Sequence, residues 1–192
     1  MPRLWTETID THRQAVREAT LDSAAALVAQ RGVRGVTMVQ IAEAAGIGRA
    51  TLYKYFPDVE SILATWHQRQ IRRHLDHLAS VAAAANGPAD RLESVLRTYA
   101  RISTLVGAHH DQRLIDFLHR DPQVARAERE LRRMIGGLIR EASAIGAVRT
   151  DVRPGELAEY CLHALGAARR ARSAAAVDRL VGLTLNGLRP LG

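Results

Sequence analysis

The sequence predicts an all-α protein: a three-helix N-terminal head bearing a helix-turn-helix, and a larger α-helical body. Three observations predict it. Alanine and leucine abound, while phenylalanine occurs only twice. Apolar residues recur at three- and four-residue spacing over long stretches, with no clean strand alternation. Residues 37–56 read as two short helices joined by a glycine turn. About nine helices are expected, with residues 1–57 forming the head and 58–192 the body.

The elements follow in order. The first ten residues read as a loose arm. A helix is expected from about Thr11, where Thr11-His12-Arg13-Gln14 has the form of a capping box. Val16, Ala19, Ser23, Leu27 and Gln30 trace its inner face, widened by Ala24 and Val28. Gly32 stands where a left-handed C-cap residue is wanted. Thr37 caps the next helix with Gln40 as its partner. Ile41 and Ala45 face inward, Gly46 supplies the turn, and Ile47 plugs the core. Gly48 is the N-cap of a helix over 49–56, which buries Leu52 and Phe56 and stops at Pro57. Longer helices are predicted near 58–85, 89–106, 110–119, 122–145, 155–170 and 174–188. Asn86-Gly87-Pro88 breaks the first two apart. Pro122 and Pro154 suit first turns, where a missing N–H costs nothing. There is no internal repeat and no low-complexity linker.

Composition narrows the function. A chain of 192 residues can bury a real core. Its single cysteine, Cys161, allows neither an internal disulfide nor a CxxC motif. It sits in an apolar helical stripe, which suits an inert thiol better than a nucleophile. Charges interrupt the apolar stretches, so no membrane span is expected. The N-terminus has no export signal, and a cytoplasmic location is the expectation. No Ser/His/Asp order, phosphate-cradling glycine loop or paired carboxylates stand out, so neither an enzyme nor a catalytic residue is expected. No cofactor is implied.

The net charge is +7. Residues 1–60 nonetheless carry seven basic and seven acidic side chains, and the excess lies in 61–192. Lys54 is the only lysine against 26 arginines, a bias that makes global basicity a poor guide. DNA binding by the head must therefore rest on local charge placement.

The second helix of the pair carries the recognition chemistry. Arg49 stands at its start and can give two hydrogen bonds to guanine. Ala50 can meet a thymine methyl. Thr51, Tyr53 and Tyr55 can donate to phosphates, and Lys54 adds a charge. Thr37 caps the preceding helix, whose N-terminal amides suit a phosphate. Each has a plainer reading: Arg49 as a solvated charge, Thr51 as a helix hydroxyl, Tyr53 as packing. An interaction protein that uses the pair for protein docking is an alternative.

Two other patterns are open. His67, His74 and His77 share a broad helix face, and His109, His110 and His119 lie close in sequence. Neither set has His-x-x-x-His spacing, so no metal site is expected, with a metal-responsive regulator as the alternative. Arg126, Arg129, Arg132, Arg133 and Arg140 alternate with Glu128, Glu130 and Glu141 as a solvated face, or as a site for an anionic partner.

The stretch from Ala19 to Leu63 resembles the tetracycline-repressor (TetR) family of transcriptional regulators. The resemblance rests on Thr37-Met38, on Ile41-Ala42-Glu43-Ala44-Ala45-Gly46, and on Thr51-Leu52-Tyr53-Lys54-Tyr55-Phe56. It implies a homodimer on a palindromic double-stranded DNA operator, released by a small-molecule effector. The fourth helix would couple the two parts. Dimerisation would use the last two helices, where Leu157, Cys161, Leu165 and Ala168 line one stripe. Val177, Leu180, Val181, Thr184, Leu185 and Leu188 line another. An intramolecular core would leave the same pattern. Effector contacts could come from Trp66, His67, Tyr99, His110, Phe117 and Tyr160, each equally readable as packing or surface. Two departures stand out. Gly48 replaces the usual serine and Val59 the usual lysine, which removes two expected backbone anchors and shifts weight onto Arg49 and Lys54.

Overall fold

Helix α1 (Arg3–Arg31) opens the computed structural model, which describes residues 3–32, 35–107 and 122–190, with side chains described from residue 11 to residue 105 and from 122 onward. Seven further α-helices follow: α2 (Met38–Ala44), α3 (Arg49–Tyr55), α4 (Val59–Ala84), α5 (Pro88–Gly107), α6 (Pro122–Ala144), α7 (Pro154–Gly166) and α8 (Ala174–Gly187). A 3₁₀ turn (Ala167–Arg170) follows α7. Among the described residues there is no strand. The helix expected near 110–119 lies outside them.

The start of α1 departs from expectation. Thr11 lies inside the helix rather than capping it, and the chain is helical from Arg3. Gln14 gives its amide to Glu18 one turn on, at 3.0 Å, not to an N-cap. The inner face is also turned from the expected line. Thr20, Leu21 and Ala24 are buried, whereas Ala19 and Gln30 are exposed. Leu21, Ala24 and Val28 keep the three- and four-residue spacing one step round the helix. Small residues on both lines made the two indistinguishable by hydropathy. The buried Thr20 hydroxyl is satisfied by the Val16 carbonyl at 2.8 Å.

Two compact units divide the described chain, one ending at Gln70 and one starting at Ile71. In the head, Leu21 and Ala24 of α1 close on Met38, Ile41 and Ala42 of α2, Leu52 of α3 and Phe56. Ile62 and Leu63 from the first turns of α4 complete this core. The head therefore reaches beyond the expected limit at residue 57, because α4 begins with an apolar face turned to it.

The body core is a set of helical stripes. Leu92, Val95, Leu96 and Ala100 come from α5, and Ile135, Leu138, Ile139 and Ala142 from α6. Leu157, Ala158, Cys161 and Leu165 of α7 join Ala168, then Val177 and Val181 of α8, then Leu188. Each stripe repeats at the spacing that puts residues on one helix face. The Thr184 hydroxyl, buried on the same face of α8, is satisfied by the Leu180 carbonyl at 2.9 Å.

Cys161 is 0% exposed, and burial pushes its thiol up to about 12. The thiolate is the reactive form. Native protein at pH 8 should leave Cys161 unmodified by an aromatic disulfide reagent, while denatured chain reacts fully. Stoichiometric labelling of native protein would contradict this packing.

Candidate nucleic-acid interface

The head builds its two short helices from caps and one turn. Neither α2 nor α3 is long enough to persist alone. The Thr37 amide donates to Gln40 Oε1 at 3.0 Å, and the Gln40 amide to Thr37 Oγ1 at 3.4 Å. This is the expected capping box. The Thr37 hydroxyl also donates to Gln40 Oε1 at 3.2 Å, so that side chain is already engaged in holding α2.

At the other end of α2, Gly46 has φ +68°, the left-handed conformation that favours glycine. It lets the Ile47 amide turn back to the Ala42 carbonyl at 3.0 Å, with Ile47 packed on the head core. Gly48 then enters α3 with extended backbone and no side-chain cap. A Cβ there would meet only Thr51 Oγ1, at 3.8 Å, so a serine would fit. The missing cap is a property of the residue, not of the space around it.

Helix α3 divides cleanly. Leu52 is fully buried and Phe56, its C-cap, is 3% exposed. Arg49, Ala50, Tyr53 and Lys54 are exposed, while Thr51 and Tyr55 are half-buried. Tyr55 packs on the head core. Tyr53, 56% exposed, is not a core residue. Arg49 and Lys54 enter no ion pair among the described residues. The helix thus offers two cations unpaired among the described residues, the hydroxyls of Thr51, Tyr53 and Tyr55, and the Ala50 methyl.

The next element is fixed by its own local bonds. Asp58 Oδ1 accepts from the Ser61 amide at 2.7 Å and caps α4, and Ser61 Oγ donates to the Asp58 carbonyl at 2.7 Å. Val59 packs on the head core instead of reaching outward. Further along α4, the Arg69 guanidinium donates to the carboxylates of Glu18 and Asp22 on α1. Its side chain is only 12% exposed, and burial acts against the charge while the two carboxylates outweigh it. Arg69 is absent from the sequence-based site because nothing local pairs it with residues some fifty positions away.

Of the expected effector residues, Trp66 and His67 belong to the first unit and Tyr99 and Tyr160 to the second. Trp66 packs on the head core. Tyr99 packs on the body core, where burial raises its phenol. Tyr160 is on the outside of α7, 44% exposed, with its ring against α8. A Cβ at Gly187 would lie 2.8 Å from the Tyr160 hydroxyl, so only glycine admits this contact. His67 is half-buried on α4. His110 and Phe117 lie outside the described residues. His74 is half-buried, and desolvation and the nearby His77 lower its pKa. No group of three or more His, Cys, Asp or Glu among the described residues could hold a metal. No described helix is long and apolar enough to cross a membrane.

The stripe expected to meet a partner is taken up within one chain. Leu157, Cys161, Leu165, Ala168, Val177, Val181, Thr184 and Leu188 are all buried, and Leu180 and Leu185 are half-buried against them. The large apolar side chains that α7 and α8 leave exposed are Tyr160 and Leu183, the latter 67% exposed. Hydropathy along a helix marks its apolar residues without saying which of two neighbours each will meet.

Comparison with known proteins agrees with this architecture. Residues 21–65 match the tetR family of bacterial regulatory proteins. Residues 58–190 match the C-terminal domain of SbtR-like transcriptional regulators. An uncharacterized HTH-type transcriptional regulator of Mycobacterium tuberculosis is 37% identical over 82 residues, 43% of this chain and 41% of that protein's length. A TetR/AcrR-family regulator from Thermobifida fusca superposes with a TM-score of 0.71 at 23% identity, covering 90% of this chain and 98% of that one. The FadR regulator of Bacillus subtilis, solved with stearoyl-CoA, superposes at 0.66 with 13% identity, covering 90% and 99%. The capped α2, the glycine turn and the outward cations of α3 are thus the head of a chain that belongs to the TetR family of bacterial regulatory proteins.

Proposed function

We propose that this chain is a transcriptional repressor that binds a palindromic duplex operator as a homodimer and leaves it when a small molecule binds the body. The carrying observation is the division of α3. Leu52 and the C-cap Phe56 are locked into the head core, and Arg49, Ala50, Tyr53 and Lys54 are left facing out. An α-helix fits the major groove, with the residues at its N-terminal end meeting base edges. Arg49 is the base reader in this account and Ala50 the thymine contact. Thr51, Tyr53, Lys54 and Tyr55 hold phosphates. Thr37 acts through the helix it caps. Binding should weaken steeply as salt rises, since each neutralised phosphate releases counterions. Titration of labelled duplex over a salt series checks this; affinity independent of salt would point to protein docking instead.

The dimer reading moves outward from the buried stripe. Leu183 and Gly187 lie one turn apart on α8, and Tyr160 covers Gly187, giving one outer face with two large exposed apolar side chains. Leu183→Lys should turn a sedimenting dimer into monomer at micromolar concentration and weaken operator binding along with it. An unchanged dimer would place the interface elsewhere.

Effector release follows the logic of differential affinity: a ligand that favours the DNA-incompetent state draws the population off DNA. Tyr99 and Tyr160 are the described candidate contacts in the body. Stearoyl-CoA, held by the Bacillus subtilis relative, is a reasonable first probe for release.

A further inference from the structure

Beside the recognition helix stands a cation that no acid among the described residues pairs with. Arg17 of α1 is exposed, and its guanidinium lies 5.3 Å from the centroid of the Phe56 ring. Phe56 is the C-cap of α3 and is 3% exposed, so the ring is a fixed platform. Stacking on an aromatic face holds a guanidinium in place through its flat side. It leaves the N–H donors, which lie in the guanidinium plane, free at the edge. Glu18 and Asp22, the acids of α1 that follow Arg17, are both engaged by Arg69. Arg17 makes no ion pair among the described residues.

We propose that Arg17 is a phosphate-positioning residue of the DNA interface. It would grip the backbone at the C-terminal end of α3 while Arg49 reads bases at the other end. This rests on the reading that α3 enters the major groove. A seven-residue helix spans about 10 Å, close to the roughly 12 Å width of that groove. A cation fixed at the end of such a helix therefore stands near the groove's rim, where the phosphates run. Val59 turns inward, and Arg17 supplies a charge at the C-cap of α3 from a different helix. Arg17 carries no base preference in this role, because backbone contacts position without reading sequence.

The test uses the full chain and duplexes selected for binding. Arg17→Gln should weaken binding by a similar factor on every operator variant. It should also reduce the slope of log affinity against log salt by about 0.9 per bound subunit. Arg17→Lys should recover most of that slope. Thermal unfolding is followed in parallel, because a residue that only covers the Phe56 ring would lower the melting temperature and leave the slope unchanged. If Arg17→Gln does not fold, Arg17→Met keeps an unbranched chain on the ring without the charge. A slope equal to wild type in the folded chargeless variant overturns the proposal. Wild type binding without any salt dependence would instead overturn the DNA reading beneath it.

Discussion

Leu52→Ala is expected to destabilise the head by about 2–5 kcal/mol and to abolish operator binding at working concentrations. Leu52 is fully buried and is the one residue of α3 counted in the core. It packs within the cluster of Leu21, Ile41, Phe56 and Ile62. Truncation removes its transfer energy and leaves a cavity that neighbouring rigid helices cannot close. A helix of seven residues has no independent stability, so loosening this contact frees the whole recognition element. Chemical denaturation followed by helical signal measures the loss, and duplex titration measures its consequence. A change below about 1 kcal/mol would mean that α3 is anchored by something other than Leu52.

Arg49→Ala carries the second large effect, with a different signature. Arg49 is exposed and makes no ion pair among the described residues, so folding should be unaffected. Binding should fall by about 1–3 kcal/mol, with discrimination relaxed at one base pair of each half-site. The comparison that decides is affinity across single-base operator variants. A uniform drop would reassign Arg49 to the phosphate backbone, and a profile identical to wild type would remove it from the interface. The contrast with Arg17→Gln, expected to act uniformly and through the salt slope, separates reading from gripping within one experiment.

The head was legible because its signals are local. Thr37 and Gln40 are three residues apart, and their reciprocal bonds depend on nothing else in the fold. Gly46 announces a left-handed turn that other residues resist. Leu52 and Phe56 share a helix face across one turn. Contacts between distant segments left no such trace. The Arg69 pairs with Glu18 and Asp22, and the Arg17 contact with Phe56, join residues about forty to fifty positions apart. The inner face of α1 is centred on Leu21 and Ala24 rather than on Ala19 and Ser23, a rotation that hydropathy alone does not resolve in a stretch rich in alanine. On α7 and α8 the apolar stripes were found, but hydropathy gave no means of telling core from interface. Only burial within the chain shows that Cys161, Leu165 and Val181 are occupied at home. Aromatic side chains serve cores and surfaces as readily as pockets: Trp66 packs on the head core, Tyr99 on the body core, and Tyr160 is exposed.

Head charge shows the same division between local and long-range information. The balance of acids and bases in the first sixty residues suggests a neutral surface. Packing rearranges that sum, because Arg69 from α4 engages Glu18 and Asp22. Among the described residues, Arg17, Arg49 and Lys54 then stand without ion pairs around one short helix. Formal charge counted along a sequence ignores which charges are already partnered.

The central claim is that the outward side of α3 reads duplex DNA from a two-fold symmetric protein. Selection of the full chain against random duplexes tests it most directly. The account predicts enrichment of a palindrome whose half-sites lie about one helical turn apart. Recovery of a single asymmetric site, or no enrichment over unselected duplex, would contradict it.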